Sequence, residues 1–351
     1  MKQTSGPLVL VVGGLMVVLA SLLPSWAEPA EVAKPTVDLA VFGRVAQVVW
    51  VVKDLDSVVG YWEMLGLKNI HRGGVVELKD VIYRGRKTPL SLKLAVGQIG
   101  DVKVEWIQPV KGKSIFDEFL RKHGDGIYSL GFAVSSPEKL HEELRYFKSK
   151  GVTLVQQGTG QAATGQSHYA FLDLGPQGAG LALEISYNPD VLPAGAKSEN
   201  EYPLNQLTHF AMVARDLNKM GSFYERLGFG GVEPIGPITL TQPTYRDQPG
   251  KYDFKLGWWH WQRTSIELIE PTAGPSIYDE HLKEHGEGLQ HIGFTVSDMD
   301  AALERMKDKG VAVAQGGGWD APAGIGRFAY FDTDAHGGVT LEFVWSKPRN
   351  P

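Results

Sequence analysis

The strongest constraint on how this chain folds is that most of it is written twice. Ser114-Ile115-Phe116-Asp117-Glu118 and the following His123-Gly124-Asp125-Gly126 recur as Ser276-Ile277-Tyr278-Asp279-Glu280 and His285-Gly286-Glu287-Gly288, both at an offset of 162 residues. The stretch from Val48 to Leu55 matches Phe210 to Leu217 at the same offset. Self-similarity at a fixed period means repeated structural units, so two homologous domains are expected, 43–190 and 204–347. The segment between them, 191–203, carries proline, glycine, alanine and charge without an apolar period and reads as a linker.

Each domain is itself a pair. Thr208-His209-Phe210 leads to Asp216 seven residues after the histidine, and Gln290-His291-Ile292 leads to Asp298 at the same spacing. Each half begins with an apolar strand and an Asp placed to cap the next helix. Helical spacing then follows at Leu217, Met220, Phe223, Tyr224 and Leu227, and again at Met299, Ala302, Leu303 and Met306. Gly228 and Gly310 stand where a helix C-terminus wants glycine. Short β-rich runs such as Phe254 to Trp261 and Ser265 to Ile269 fill the rest. The expected half-module is β-α-β-β-β and the fold class α+β.

Composition removes several chemistries. Cysteine is absent, which excludes thiolate nucleophiles, iron–sulfur clusters, cysteine zinc sites and disulfides. A net charge of −5, from 35 basic and 40 acidic side chains, offers no positive field for a nucleic acid. At the N-terminus Lys2 precedes an apolar run from Leu8 to Leu23, then Pro24 and Ser25-Trp26-Ala27. That run is shorter than the roughly 20 residues of a spanning helix and suits a secretory signal cut after Ala27, with an uncleaved anchor as the alternative. Residues 28–42 then read as a tether, and the mature protein is expected to be periplasmic or secreted, with no stable membrane span.

His209 and His291 occupy matching points on the first strands of the two halves of domain two, and Glu267 and Glu342 matching points on the last strands. Both carboxylates interrupt apolar strands, where an ionised group is costly unless paired or bound to a metal. Four such residues related by a twofold repeat can converge on one cation. At this point the chain resembles the vicinal oxygen chelate superfamily, and within it glyoxalase I and methylmalonyl-CoA epimerase. The resemblance rests on His209 to Leu217, Ile266-Glu267-Leu268, His285 to Ile292 and Gly337-Gly338-Val339-Thr340-Leu341-Glu342, and covers both domains. It implies paired β-α-β-β-β modules curled into a half-barrel around a divalent metal (Ni, Co, Zn, Mn or Fe), with His209, Glu267, His291 and Glu342 as ligands. It also implies that Glu267 and Glu342 exchange protons with a substrate.

In domain one the equivalents are Gln47, Glu105, Ser129 and Glu184. With both imidazoles gone, that site is expected to hold transition metals poorly. A crossed site of Gln47 and Glu105 with His291 and Glu342 is the alternative. Trp258 and His260 face the metal if a tight turn at Gln262-Arg263 pairs Trp258 with Glu267. They and Tyr330 are the candidates for a substrate pocket. Tyr330 and Tyr224 also suit plain core positions, and His123 and His285, beside glycines, suit helix-end turns. The resemblance implies a lyase or isomerase that moves a proton next to a carbonyl of a small oxygen-rich molecule, working as a monomer or homodimer. An iron-dependent extradiol dioxygenase using His209, His291 and Glu342, and a ligand-sequestering protein like the bleomycin-resistance members, are the rival readings.

Overall fold

The computed structural model describes residues 36–190, 199–260 and 265–349; of His260 only the backbone is described. The expected signal sequence, the tether up to residue 35, residues 191–198 and the turn at Gln262-Arg263 lie outside the described residues. Among the described residues no helix is long and apolar enough to cross a membrane.

The first repeat supplies β1 (Gln47–Val51), β2 (His71–Leu78), β3 (Ile82–Tyr83), β4 (Arg86–Lys87), β5 (Leu90–Ile99), β6 (Val102–Lys111), β7 (Gly126–Ala133), β8 (Thr153–Gln161), β9 (Gln166–Asp173) and β10 (Ala182–Tyr187). They form one sheet in the order β2-β5-β6-β1-β7-β10-β9-β8-β3-β4. The second supplies β11 (Leu207–Val213), β12 (Thr241–Tyr245), β13 (Gln248–Pro249), β14 (Asp253–His260), β15 (Ser265–Ala273), β16 (Gly288–Thr295), β17 (Val313–Ala321), β18 (Gly324–Phe331) and β19 (Thr340–Pro348). Their order is β13-β12-β17-β18-β19-β16-β11-β15-β14. In both, the first strands of the two halves pair antiparallel at the centre and each pairs parallel with the last strand of its own half. The fold is α+β, two curled half-barrel sheets in tandem.

Period-two alternation builds the layers. On β1, Val48 and Trp50 join the core under the helices, while Val49 and Val51 join a separate cluster on the concave side. The helices Leu55–Leu65, Leu217–Leu227 and Met299–Asp308 start where aspartates at the strand ends accept from backbone N–H groups: Asp54 from Ser57, Asp216 from Lys219 and Asp298 from Ala301. Each cap is worth about 1 kcal/mol. One half-module departs from the pattern. The strand that should match β2 is reduced to an isolated bridge between Ile235 and Leu256. Pro234 and Pro237 flank Ile235 and cannot donate to a ladder.

The repeats share a core. Thr36 and Val37 donate to the Gly228 carbonyl, and Phe42 packs on Phe132 and Phe147 of the first repeat and Phe229 of the second. The last residues of the expected tether are therefore part of the fold, and Asn200 of the linker is buried, accepting from Lys68 N–H and donating to the Gln98 carbonyl. Trp50 and Trp62 donate their indole N–H groups to the Gly337 and His336 carbonyls, at 2.5 and 3.0 Å. Gly338 has φ +69°, and a Cβ there would stand 1.8 Å from the Asp125 carbonyl oxygen. Gly338→Ala is therefore expected to cost well over 1 kcal/mol in urea denaturation, because it combines strain at positive φ with a clash between the repeats. Gly310→Ala, at φ +75° with open space around it, is the control and should cost only about 1 kcal/mol.

Candidate metal centre

Register brings the four predicted side chains of the second repeat together. Ala211 on β11 pairs with Glu267 on β15 and with His291 on β16; His209 pairs with Gly293, which in turn pairs with Glu342 on β19. The residues therefore fall on one face of three adjacent ladders. A Cβ on Gly293 would lie 2.2 Å from the His209 ring, so glycine is required for the imidazole to cross to its partners.

All four side chains are buried. His209 Nε2 lies 3.2 Å from His291 Nε2, 3.3 Å from Glu267 Oε2 and 3.0 Å from Glu342 Oε2. His291 Nε2 lies 3.2 Å from Glu267 Oε2 and 3.5 Å from Glu342 Oε2. Two ring nitrogens facing each other can share at most one proton, so hydrogen bonding alone does not explain the convergence. Ligand atoms about 2.1 Å from a common ion stand roughly 3.0–3.4 Å apart in octahedral or tetrahedral geometry, which matches the spacing. The donor set therefore fits a divalent cation, with N and O ligands of the kind that borderline metals accept.

The strand pairing also orients one ligand. Leu289 pairs with Met212 and His291 with Ala211, leaving Gln290 as the extra residue of a β-bulge. Its amide oxygen accepts from His291 Nδ1 at 2.7 Å, and its amide nitrogen donates to Thr340 Oγ1 at 2.9 Å. With Nδ1 committed as a donor, the neutral ring carries its lone pair on Nε2, the nitrogen aimed at the cluster. Gln290 escaped the sequence reading because strict alternation places it on the opposite face. Trp258 pairs with Glu267, and its ring meets His209 edge to face at 5.4 Å. Tyr330 pairs with Glu342, packs against His291 at 5.0 Å and accepts from the Tyr278 hydroxyl at 3.0 Å. His260 continues β14 opposite Ser265, and its side chain lies outside the described residues. Tyr224 lies in the helix-side core, away from the cluster, and donates to the Gly178 carbonyl.

Electrostatics follow from this packing. Burial would lower the His209 pKa, but the charges and hydrogen bonds of Glu267 and Glu342 outweigh it and push it up to about 10. His291 is raised by the same balance. Burial would raise both carboxyls, yet the imidazoles hold Glu267 below its ordinary value and Glu342 down to about 2.

The first repeat brings its own four residues to the same place on its sheet, and a fifth with them. Lys103 pairs with Gln47 on β1, as Ser265 does with His209. Its ammonium contacts the Glu105 carboxylate. Burial works against that charge, but Glu105 and then Glu184 raise the Lys103 pKa. Burial, followed by repulsion from Glu105, pushes Glu184 up to about 8. This cleft balances Glu105 with a covalently attached cation and keeps Glu184 largely protonated at neutral pH. One of its two carboxylates thus already has a cationic partner.

The family model described as the glyoxalase/bleomycin resistance protein/dioxygenase superfamily matches residues 46–171 and 208–331. The uncharacterized protein YwkD of Bacillus subtilis is 28% identical over 109 residues, which are 31% of this chain and 74% of that protein. A mutant of 4-hydroxymandelate synthase from Streptomyces coelicolor superposes with a TM-score of 0.53 at 16% identity, covering 88% of this chain and 93% of that one. A Mn(II)-bound glyoxalase from Novosphingobium aromaticivorans gives 0.47 at 16% identity, covering 86% and 82%.

Two outcomes follow. Since the His209 pKa is pushed up to about 10, that ring carries a proton at neutral pH in the metal-free protein, and a divalent ion must displace it. Titration calorimetry with Mn(II) in buffers of different ionisation enthalpy should show release of about one proton per ion at pH 7, and affinity should fall as pH is lowered. In the first repeat, Lys103→Met strips Glu105 of its partner and should cost about 1–3 kcal/mol in urea denaturation, less than a fully buried pair would. Adding Glu105→Gln should recover most of that loss.

Proposed function

Because this chain belongs to the glyoxalase/bleomycin resistance protein/dioxygenase superfamily, we propose that its second repeat is a divalent-metal enzyme of the lyase or isomerase type, moving a proton at the carbon next to a substrate carbonyl. The observation that carries this reading is the fourth ligand. Glu267 stands as close to His209 and His291 as Glu342 does, at 3.3 and 3.2 Å. A facial iron triad has no use for it. Of two carboxylates flanking one point, one can stay on the ion while the other takes the proton from carbon and returns it.

When bound, the metal polarises the carbonyl and acidifies the adjacent C–H. The chain's own groups do the rest. His209 and His291 hold the site through their Nε2 atoms, with Gln290 fixing the second ring. Glu267 is assigned the proton transfer, because it borders Trp258, the partly exposed flank of an otherwise buried cluster. Glu342 is held down to about 2 and lies deeper, beside Tyr330, which suits a permanent ligand and a weaker base. Trp258 and the apolar wall behind Tyr330, which includes Phe328 and Tyr278, exclude water and restrict the substrate to a small molecule with adjacent oxygens. The run Leu8 to Leu23 supports export of the mature protein. Outside the cytoplasm a 2-oxo aldehyde, hydroxy acid or sugar-derived carbonyl is a better substrate class than an acyl-CoA.

His291→Ala is expected to weaken metal binding at this site by more than about tenfold. Glu267→Gln should retain the ion yet slow exchange of substrate C–H for deuterium, followed by NMR, by about 10²–10⁴-fold. Absence of exchange with every carbonyl class tested, in protein with the site filled, would overturn the enzymatic reading. Oxygen uptake on catechols with iron bound would replace it with the dioxygenase.

A further inference from the structure

A second group of ligating side chains lies outside this centre, at the seam between the repeats. His281 and His285 stand one turn apart at the end of the helix Ile277–Glu284, with their rings stacked at 5.0 Å. Asp334, in the loop between β18 and β19, places Oδ2 3.1 Å from His285 Nε2. One ligand atom from each of the three residues lies within 4.8 Å of the others. His285 Nδ1 donates to the His123 carbonyl at 2.6 Å, so the neutral ring carries its lone pair on Nε2, facing Asp334. His281 is 5% exposed and its Nδ1 has no hydrogen-bond partner.

The first repeat is a built-in control. His123 keeps the place of His285 and makes the reciprocal bond, Nδ1 to the His285 carbonyl at 2.5 Å. The position of His281 is occupied there by Phe119, whose ring stacks on His123 at 5.1 Å, almost the geometry of the histidine pair. The position of Asp334 is Gly175, counted from the shared Asp173 and Asp332. Packing and the turn are therefore satisfied by Phe, His and Gly. The second repeat has replaced the phenyl ring with a buried imidazole, which costs free energy unless its nitrogens are used, and has added a carboxylate beside it. A histidine pair at i and i+4 on one helix face with a carboxylate from another element is a zinc-type donor set with an open position.

We propose that His281, His285 and Asp334 form a second metal site, for a borderline divalent ion such as zinc, independent of the His209 centre. An ion here ties the helix Ile277–Glu284 to the 333–338 loop, which receives the Trp50 and Trp62 indoles of the first repeat. The site therefore acts as a staple across the seam.

The test is equilibrium dialysis of the full-length protein against zinc(II), with metal counted per chain. The wild type should bind a second equivalent beyond the His209 centre, His291→Ala should lose only the first, and His281→Phe should lose only the second. His281→Phe installs the residue the first repeat already packs there. Should it fail to fold, Asp334→Asn, on a partly exposed carboxylate, reads the same site and should weaken the second equivalent by at least about tenfold. Zinc should also raise the melting temperature of His291→Ala but not that of His281→Phe/His291→Ala. A wild type that binds a single equivalent, abolished by His291→Ala, overturns the second site while leaving the first reading intact. A second equivalent that survives both His281→Phe and Asp334→Asn overturns it as well.

Discussion

A charge placed inside an apolar sheet must be cancelled on the spot, and the two repeats of this chain cancel theirs differently. Each half-barrel lifts two carboxylates onto its concave face through the same parallel pairings, β1 with β6 and β7 with β10, β11 with β15 and β16 with β19. Slipping any of these by one residue would turn the side chains to the opposite face. Register is thus the cause of the site, and register is held by the apolar residues alternating with the ligands, among them Ile266, Leu268, Leu341 and Phe343, all at most 1% exposed. In the first repeat a lysine one pleat away satisfies the deficit. In the second, that position is Ser265, and the carboxylates are left to two imidazoles that themselves need a common partner.

The twofold repetition was readable from the chain because paired motifs at one offset survive divergence, and the four ligand positions were readable because they interrupt apolar strands at repeat-equivalent points. The pairing of Trp258 with Glu267, on which the pocket reading was conditional, is the register that β14 and β15 adopt. Features that break the period were hidden. Gln290 serves His291 only because a bulge turns it inward. Lys103 keeps the period, two residues before Glu105 in Val102-Lys103-Val104-Glu105, but its place beside Gln47 shows only in the ladder. His281 and Asp334 lie far apart along the chain, and nothing local marks a helix histidine as the partner of a loop carboxylate. The burial of Phe42 and Asn200 was equally invisible, since both lie in segments whose composition is that of a connector.

The bulges show how a duplicated frame is put to use. Both repeats carry one at the same point: in the first it falls on Tyr128, in the second on Gln290. Tyr128 joins the apolar cluster on the concave side of its sheet, packed by Phe116 and Phe171. Gln290 spends the same backbone irregularity on orienting an imidazole. The extra residue is a property of the fold, and which chemistry it serves depends on the side chain it presents.

Placing a lysine beside the carboxylates of one repeat has a thermodynamic consequence. A ligand that binds only the folded state adds stability that grows with its free concentration, so a protein whose halves both required an ion would rise and fall with metal supply. Lys103 gives the first half a counter-charge that does not vary with supply, because its ammonium is covalently attached and always present. The first half in turn holds the second through Phe42, the Trp50 and Trp62 indoles and the reciprocal histidine bonds. On the reading proposed above, loss of an ion leaves the four side chains of the second repeat in a frame still braced by its neighbour, with the imidazolium of His209 and the two carboxylates compensating one another.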